Sequence, residues 1–219
     1  MKRSFHTQRL DHSRALRMME SSYLAATTAL IWVALYYLPV GGALFRLALP
    51  LPLALLILRR GFKTGREGLL VAVLLLVVLM GPVRGPLILF PYGLLAMWLG
   101  WGWQFGLSWW LSWGFGVLIG TSGFFLRVGI LSLLVGENLW VVITRAGSGL
   151  LDRLVDLLNL PITPDFAQVQ LMAIALVVFQ EMIYVFALHA LAFWIFPRLN
   201  SSIPEPPRLL NGLVELDPL

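Results

Sequence analysis

The amino-acid sequence predicts an all-α membrane protein, a bundle of about six transmembrane helices with one short amphipathic helix at the membrane interface. Two features of the composition carry this prediction. Of the 219 residues, 12% are charged and 59% are apolar, whereas about a quarter of the residues in a soluble domain are charged. So few charges cannot cover a globular surface, and lipid must solvate the apolar excess. At about 20 residues per crossing, the chain accommodates roughly six helices with short loops.

Long apolar runs alternate with short polar or turn-forming segments and divide the chain into three parts. Residues 1–20 form a polar, basic N-terminal tail, and residues 198–219 form a C-terminal tail whose prolines and polarity are typical of disorder. Residues 21–197 form the transmembrane domain, whose first run is too long for a signal-peptide core. The runs are residues 21–38, 40–58, 68–83, 87–101, 107–135 and 167–196.

Three of the runs carry signals for a turn or a break. The second run ends in a basic segment, residues 59–66, which holds four cations. The third ends at residues 81–86, where two Gly-Pro pairs flank Arg84 and predict a turn or a broken helix. The fifth contains five glycines. Two predictions are compatible with this pattern, one tilted helix or a helix with a kink.

A different pattern occupies residues 148–160, between the fifth and sixth runs. Leucines and valines recur there at helical spacing, while Asp152, Arg153, Asp156 and Asn159 fall mostly between them. This pattern predicts a short amphipathic helix that lies flat at the membrane interface. The segment therefore belongs to the transmembrane domain without adding a crossing.

The distribution of lysine and arginine predicts the orientation of the bundle. With six crossings, the N-terminal tail, the loop after the second run and the C-terminal tail lie on one side, and they carry five, four and two cations. The other side carries Arg84, Arg145 and Arg153, while Arg46 and Arg127 fall within or near the runs. Because cytoplasmic loops are enriched in lysine and arginine, we expect both termini to be cytoplasmic. The expected location is a bacterial inner membrane or a related internal membrane.

The sequence lacks the residues and motifs of several functional classes. It contains no cysteine and three histidines, which excludes disulfides and thiolate metal sites and disfavours a histidine-rich metal site. It has no Walker A loop, no HExxH zinc motif and no G-x-S-x-G nucleophile elbow. No basic stripe with interleaved aromatics lies outside the apolar runs, as a nucleic-acid-binding surface would need. We therefore expect no catalysis, no cofactor, no metal and no nucleic-acid partner.

Glu181 is the most informative ionisable residue within an apolar run. It lies near the middle of the sixth run, where a carboxylate must face other helices, be protonated or pair with a cation. Arg127 in the fifth run is its natural partner. The same predicted helix also carries the polar residues Gln180, Tyr184 and His189. These five residues form the candidate ligand-binding site, and the alternative is a buried pair that holds the fifth and sixth helices together.

The other polar features at membrane level have structural explanations beside functional ones. Arg46 lies six residues into the second run, where snorkelling toward the interface explains it. Arg84 is expected in a turn near lipid headgroups. Six tryptophans between residues 98 and 113 are typical of an interfacial aromatic belt. An aromatic cage for a planar or cationic ligand is the alternative.

The order of three segments resembles one known family. Residues 49–65 form a proline-interrupted run that ends in the basic turn, residues 68–82 form an uninterrupted run, and residues 90–103 read FPYGLLAMWLGWGW. This order resembles the YybS-like membrane proteins, also called domain of unknown function 2232, over residues 20–197. That family looks like a relative of the S components of energy-coupling-factor transporters. These are six-span bundles that bind a vitamin or a metal ion and dock on a membrane coupling subunit with two ATPases. The resemblance implies the same fold here.

Two functions remain open at this point. The first is an S-component-like small-molecule-binding subunit of a transport system, whose partner would be a membrane coupling subunit with ATPases. The second is a non-catalytic scaffold or assembly factor for a larger membrane complex. The scarcity of site chemistry, the glycine-rich fifth run and the dense tryptophans favour the second. In both cases the lipid bilayer surrounds the chain.

Overall fold

The computed structural model describes residues 3–157 and 165–207, and these residues form helices without β-strands. The predicted all-α fold is therefore confirmed. Two 3₁₀ turns, Pro86–Leu89 and Pro197–Leu199, accompany the α-helices. The α-helices of the described residues are α1 (Arg3–Tyr37), α2 (Gly42–Ala48), α3 (Leu51–Arg60), α4 (Phe62–Met80), α5 (Tyr92–Gln104), α6 (Trp109–Val135), α7 (Leu139–Leu157) and α8 (Phe166–Ile195).

Within the described part of the chain, five helical segments are long and apolar enough to cross a membrane. The remaining predicted run, the third, forms α4, which carries Lys63, Arg66 and Glu67 in the first six of its 19 residues. The other 13 residues rise about 20 Å, against about 30 Å for a hydrocarbon core. Six crossings are compatible with this structure if the charged end of α4 lies at the membrane surface. The five segments are Arg14–Tyr37, Gly42–Arg60, Pro86–Gln104, Trp109–Val135 and Phe166–Ile195.

Proline breaks the second run into α2 and α3. Pro50 has no N–H group, so the helical hydrogen bond from residue 50 to the carbonyl of Arg46 is missing. The chain restarts as α3 with Pro50 at the N-cap. The Arg46 carbonyl is consequently available to another donor.

The fourth run is also broken, and close backbone packing holds its irregular part inside the bundle. After α4 the chain reverses so tightly that a Cβ on Gly85 would lie 2.6 Å from the backbone nitrogen of Val77. Further along, a Cβ on Gly123 of α6 would lie 2.7 Å from the Cα of Pro91, the N-cap of α5. Non-helical backbone is tolerated at membrane depth only where protein covers it or it lines a cavity. Because the two glycines have no side chains, neighbouring backbone packs directly against this irregular segment and covers it.

The segments predicted to share one side of the membrane meet at one end of the bundle, here called the basic end. Arg59 of α3 donates to Glu20 of α1 at 2.9 Å and to the Ser201 hydroxyl at 2.8 Å. It also donates to the carbonyl of Leu199, and Arg60 donates to the second Glu20 oxygen. These contacts join α1, the end of α3 and the C-terminal segment, as an even number of crossings requires.

The described parts of both tails are more structured than predicted. The helix α1 begins at Arg3, so the N-terminal tail continues the first membrane helix instead of preceding it. Near the C-terminus, Ile203 is buried, and the carbonyl of Pro204 accepts a hydrogen bond of 3.1 Å from Trp109 Nε1. Residues 200–207 are therefore packed and not disordered, because the Ile203 side chain is buried and the Pro204 carbonyl has a hydrogen-bond donor. Residues 208–219 lie outside the described residues.

The fifth run and the amphipathic segment form two helices in close succession. The fifth run is the continuous helix α6. The helix α7 covers the predicted amphipathic segment as far as residue 157, while residues 158–160 lie outside the described residues. It begins at Leu139 and not at residue 148, and it packs against α6 and α8. The amphipathic segment is therefore the second half of a longer helix.

The six-crossing arrangement predicts which introduced cysteines are accessible from outside the cell. Because the chain has no native cysteine, each single-cysteine variant reports one position. We expect a membrane-impermeant maleimide to label Val83→Cys and Glu137→Cys in intact cells, and Lys63→Cys and Ser202→Cys only after permeabilisation. All four side chains are exposed, so labelling of all four after permeabilisation is the control. Labelling of Lys63→Cys in intact cells would contradict the predicted topology.

The packing of α6 on Pro91 predicts a position-specific effect of alanine. Gly123→Ala places a methyl group against backbone that cannot move aside, and we expect a loss of about 1–3 kcal/mol of stability. Gly114→Ala and Gly129→Ala on the same helix are matched controls, because a Cβ at either position meets no atom within 4 Å. Thermal unfolding in detergent measures the difference. Equal melting temperatures for all three variants would contradict the close contact.

Candidate functional site

Arg46 contacts α8 through both its backbone and its side chain. The carbonyl that Pro50 leaves without a helical donor accepts a hydrogen bond of 2.9 Å from the Tyr184 hydroxyl. The guanidinium carbon lies 5.9 Å from the centre of the Tyr184 ring. When the amide oxygen of Gln180 faces the guanidinium, it accepts from both terminal nitrogens at 3.2 and 3.3 Å. These contacts fix α2 against α8.

Glu181 is enclosed between α8 and α6. Its side chain is 2% exposed, and a Cβ on Gly120 would lie 3.1 Å from the carboxyl carbon. Glycine at position 120 therefore makes room for the carboxylate. Arg46 contacts Gln180 and Tyr184, which precede Glu181 by one residue and follow it by three, but Arg46 and Glu181 are not within the ion-pair distance of 4.0 Å. The ion pairs among the described residues are those of Glu20.

Arg127 faces α1 and not Glu181. Its guanidinium donates to the Tyr36 hydroxyl at 2.9 Å and lies 5.6 Å from the centre of the Trp32 ring. The predicted Arg127–Glu181 ion pair does not form. Glu181 packs on α6 at Gly120, which precedes Arg127 by seven residues, or about 10 Å along a helix. That separation explains why Arg127 has other partners.

Tyr92 lies near the two arginines because α5 begins inside the bundle. Its side chain is 3% exposed, and it lines the same cleft as Arg46 and Arg127. Its ring meets the rings of Trp32 and Tyr184 edge-on, with centroid distances of 5.6 and 6.3 Å. The break before α5 therefore positions the aromatic side chain that joins α1, α5 and α8.

Two open clefts flank Arg46 at the end of the bundle opposite the basic end, where α1 ends. The α2–α8 cleft has a volume of about 750 Å³ and is lined by Arg46, Gln180 and Tyr184 among others. The arginine cleft has a volume of about 430 Å³ and is lined by both Arg46 and Arg127. Its lining includes Tyr36, Arg46, Tyr92, Phe124, Arg127 and Leu131.

His189 belongs to a separate polar cluster nearer the basic end. Its Nε2 atom lies 3.0 Å from the Ser112 hydroxyl, and its Nδ1 atom lies 2.9 Å from the carbonyl of Val185. Its ring packs edge-on against the rings of Trp103 and Trp109. Both nitrogens have partners and the side chain is fully buried. His189 is therefore placed to stabilise the packing of α5, α6 and α8, and it lies outside both clefts.

The tryptophans predicted as an interfacial belt also connect helices. Trp98 Nε1 donates to the carbonyl of Ser112 at 3.1 Å, and Trp113 Nε1 donates to the carbonyl of Met182 at 3.0 Å. Trp110 is exposed, as a belt residue would be. The belt prediction therefore applies to only part of this group. Several of the other indoles donate hydrogen bonds to backbone carbonyls inside the bundle.

A third cleft of about 710 Å³ lies between α6 and α7. Its one lining hydroxyl, Ser132, is already engaged, since it donates to the carbonyl of Val128 and accepts from the amide of Leu139. The other lining residues are apolar except for Glu137 and Asn138 in the turn before α7. Ligand sites combine an apolar lining with converging polar groups, and the arginine cleft shows this combination more clearly.

Four of the five predicted site residues lie near one another, although in a different pattern from the one predicted. Gln180 and Tyr184 contact Arg46, Glu181 lies next to Gln180 on α8, and Arg127 lines a cleft together with Arg46. The central role of Arg46 differs from the snorkelling that its position in the sequence predicts. A proline four residues after an arginine was the available signal, because it leaves that arginine's carbonyl without a helical donor. The roles of Trp32, Tyr36 and Tyr92 had no such signal.

Comparison with known proteins identifies a family and no closer relative. A family model described as "Predicted membrane protein (DUF2232)" matches residues 25–211. No curated protein matches the chain, and no solved structure matches it. The description agrees with the resemblance to domain of unknown function 2232. It states neither a substrate nor a partner, so the likeness to S components stays an expectation.

The geometry predicts that Glu181 is coupled energetically to Arg46 and not to Arg127. In a double-mutant cycle of Arg46→Gln and Glu181→Gln, we expect an interaction energy of about 0.5–3 kcal/mol, because Arg46 contacts the residues of α8 on either side of Glu181. The corresponding cycle of Arg127→Gln and Glu181→Gln is the control and should be additive within about 0.5 kcal/mol. Unfolding in detergent provides both values. A larger coupling to Arg127 would contradict this assignment.

Proposed function

On the premise that this chain belongs to the family described as "Predicted membrane protein (DUF2232)", we propose that it is an S-component-like small-molecule-binding subunit of a transport system. The membrane setting follows from the family and from the apolar helices. The binding role is supported by the arginine cleft. The proposal assigns binding, and no catalytic step, to this chain.

The observation that carries the proposal is the convergence of polar side chains around an open volume in an apolar bundle. Arg46, Tyr92 and Arg127 come from α2, α5 and α6, and all three line the arginine cleft. Charged groups at membrane depth cost several kcal/mol unless they are paired or functional. The cleft volume of about 430 Å³ lies within the range of small-molecule sites, about 300–1,000 Å³. A structural role alone would be better served by a closed pair.

The position of the cleft supports entry of the ligand from the side opposite the basic end. Leu35 and Tyr36 line the cleft near the C-terminus of α1, whereas Glu20 and Arg59 mark the basic end. These ends of α1 are separated by about 25 Å along the helix. With the basic end in the cytoplasm, as the positive-inside rule favours, the cleft opens toward the outer face of the membrane. A bacterial inner membrane or a related internal membrane is the proposed location.

A transport role requires a source of energy from a partner. The sequence has no Walker A loop, so the proposal includes a separate membrane coupling subunit with ATPases. Release of the ligand on the cytoplasmic side would then depend on docking to that subunit. The alternative role, a scaffold of a larger membrane complex, does not need an open polar cleft.

Blocking the arginine cleft should remove a bound small molecule. We expect mass spectrometry of protein purified in mild detergent to detect a molecule that accompanies the wild type and is depleted at least tenfold in Leu131→Trp, since Leu131 lines the cleft and an indole would fill part of it. Leu133→Trp is the matched control, because Leu133 is 86% exposed on the same helix. Identical small-molecule profiles for the three proteins would contradict the proposal. Co-purification of a stable protein complex in that case would favour the scaffold role.

A further inference from the structure

Resting on the proposed function, we infer that the arginine cleft binds an anionic oxyacid group, a phosphate or a carboxylate, that is attached to an apolar body. Arg46 and Arg127 would hold the anionic group between them, and the aromatic and aliphatic walls would contact the apolar body. Both features follow from the partners of the two arginines and from the lining of the cleft.

The two guanidinium groups have donors in excess of their partners. An arginine side chain offers five N–H donors. Among the described residues, Arg127 has one hydrogen bond to a side chain, that to Tyr36. The Nε atom of Arg46 also lacks a partner there, but it is covered by protein, so the terminal nitrogens are the donors that a ligand could reach. A phosphate or carboxylate accepts several hydrogen bonds and matches the planar fork of a guanidinium. The spare donors therefore suit an oxyanion.

The charges around the cleft also favour an anion. Arg46 and Arg127 supply two positive charges, and neither forms an ion pair with a carboxylate within the described part of the chain. Glu181 follows the Gln180 that contacts Arg46 but does not line the cleft, so this carboxylate offsets at most one of the two positive charges. In a low-dielectric setting an uncompensated charge is costly. A bound anion would provide the missing compensation.

The two arginines are held in place before any ligand arrives. Arg127 lies over the face of Trp32, and Arg46 lies over the face of Tyr184. Such cation–π contacts restrict the guanidinium positions. Tyr92, which lines the same cleft, has a hydroxyl able to donate to the same anion. A preorganised site loses less conformational entropy on binding than a flexible one.

The walls of the cleft define the second half of the ligand. Phe124, Val128, Leu131 and Ile143 present aromatic and aliphatic surface to the same volume that holds the arginines. A small hydrated inorganic ion would leave this surface in contact with water. An amphiphilic anion covers both parts of the cleft. Its source is either a lipid with an anionic headgroup or a water-soluble molecule, since the recognised chemistry is the same.

Thermal unfolding in lipid nanodiscs tests the inference with defined probes. In nanodiscs of phosphatidylcholine alone, we titrate hexyl phosphate, with hexanol as the neutral molecule of the same chain length. In a second arm, phosphatidylglycerol is added to the nanodiscs, first without a soluble probe and then with hexyl phosphate. A ligand that binds the native state stabilises it by RT ln(1 + [L]/Kd), so Tm rises with the logarithm of the ligand concentration once this exceeds Kd. We expect an anion to raise Tm and hexanol to leave it unchanged.

Variants of the two arginines show whether the cleft is responsible. We expect Arg127→Gln and Arg46→Gln each to weaken binding by about 10- to 100-fold, as for loss of a charged hydrogen-bonding group. Arg127→Lys should weaken it less because the charge is kept. Arg84→Gln is the matched control, since Arg84 is exposed in the turn after α4 at the same end of the bundle. If Arg46→Gln unfolds, Arg127→Gln alone decides the result.

The two arms also identify the source of the anion. A rise in Tm with hexyl phosphate that phosphatidylglycerol does not reduce indicates a water-soluble ligand. A rise with phosphatidylglycerol that abolishes the effect of hexyl phosphate indicates a lipid headgroup. Both results support the inference when Arg127→Gln removes them. No rise in either arm, an equal rise with hexanol, or an equal loss in Arg84→Gln overturns it.

Failure of this inference is distinguishable from failure of the proposed function. A molecule that accompanies the wild type, is depleted in Leu131→Trp and lacks an anionic group would leave the binding role intact. Retention of that molecule by Arg127→Gln would overturn the anion assignment alone. Small-molecule profiles that do not depend on the cleft would contradict the binding role itself.

Discussion

Polar groups inside this bundle must find partners within the protein, because the surrounding hydrocarbon offers none. The break at Pro50 shows how this requirement shapes the fold. It leaves the Arg46 carbonyl without a helical donor, and the Tyr184 hydroxyl of α8 takes that donor's place. The Arg46 carbonyl of α2, which lacks a helical donor, therefore forms the hydrogen bond that holds α8 beside α2. The break also places the Arg46 guanidinium between two clefts.

Glycine determines how closely the helices approach around that position. The face of α6 that meets α8 and the start of α5 has glycine where the neighbour is a Glu181 carboxylate, a valine side chain or the Pro91 backbone. Because hydrophobic burial gains little in lipid, such close van der Waals packing is what holds membrane helices together. The same helix has glycines with open space beside them, at positions 114 and 129. Small size therefore matters on one face of α6 and not on the others.

The two polar clusters of the bundle differ in how completely their hydrogen bonds are satisfied. At His189, both ring nitrogens have partners and tryptophan rings close the site. Around Arg46 and Arg127, buried donors remain without partners among the described residues, and the space beside them is open. A satisfied cluster rigidifies a core, whereas an incomplete one beside a cavity is suited to a ligand. This difference separates a structural histidine from a candidate binding site.

The sequence by itself determined the membrane setting, the α-helical class, the positions of the apolar runs and the grouping of basic segments at one end. These properties depend on local composition and on the thickness of a bilayer, both of which can be evaluated along a chain. The tertiary structure decided that Arg127 contacts α1 and not Glu181, that His189 lies apart, and that Arg46, Tyr36 and Tyr92 meet. Those outcomes depend on how far each helix slides and rotates against its neighbours. Contacts between distant residues set that geometry, and apolar periodicity does not encode it.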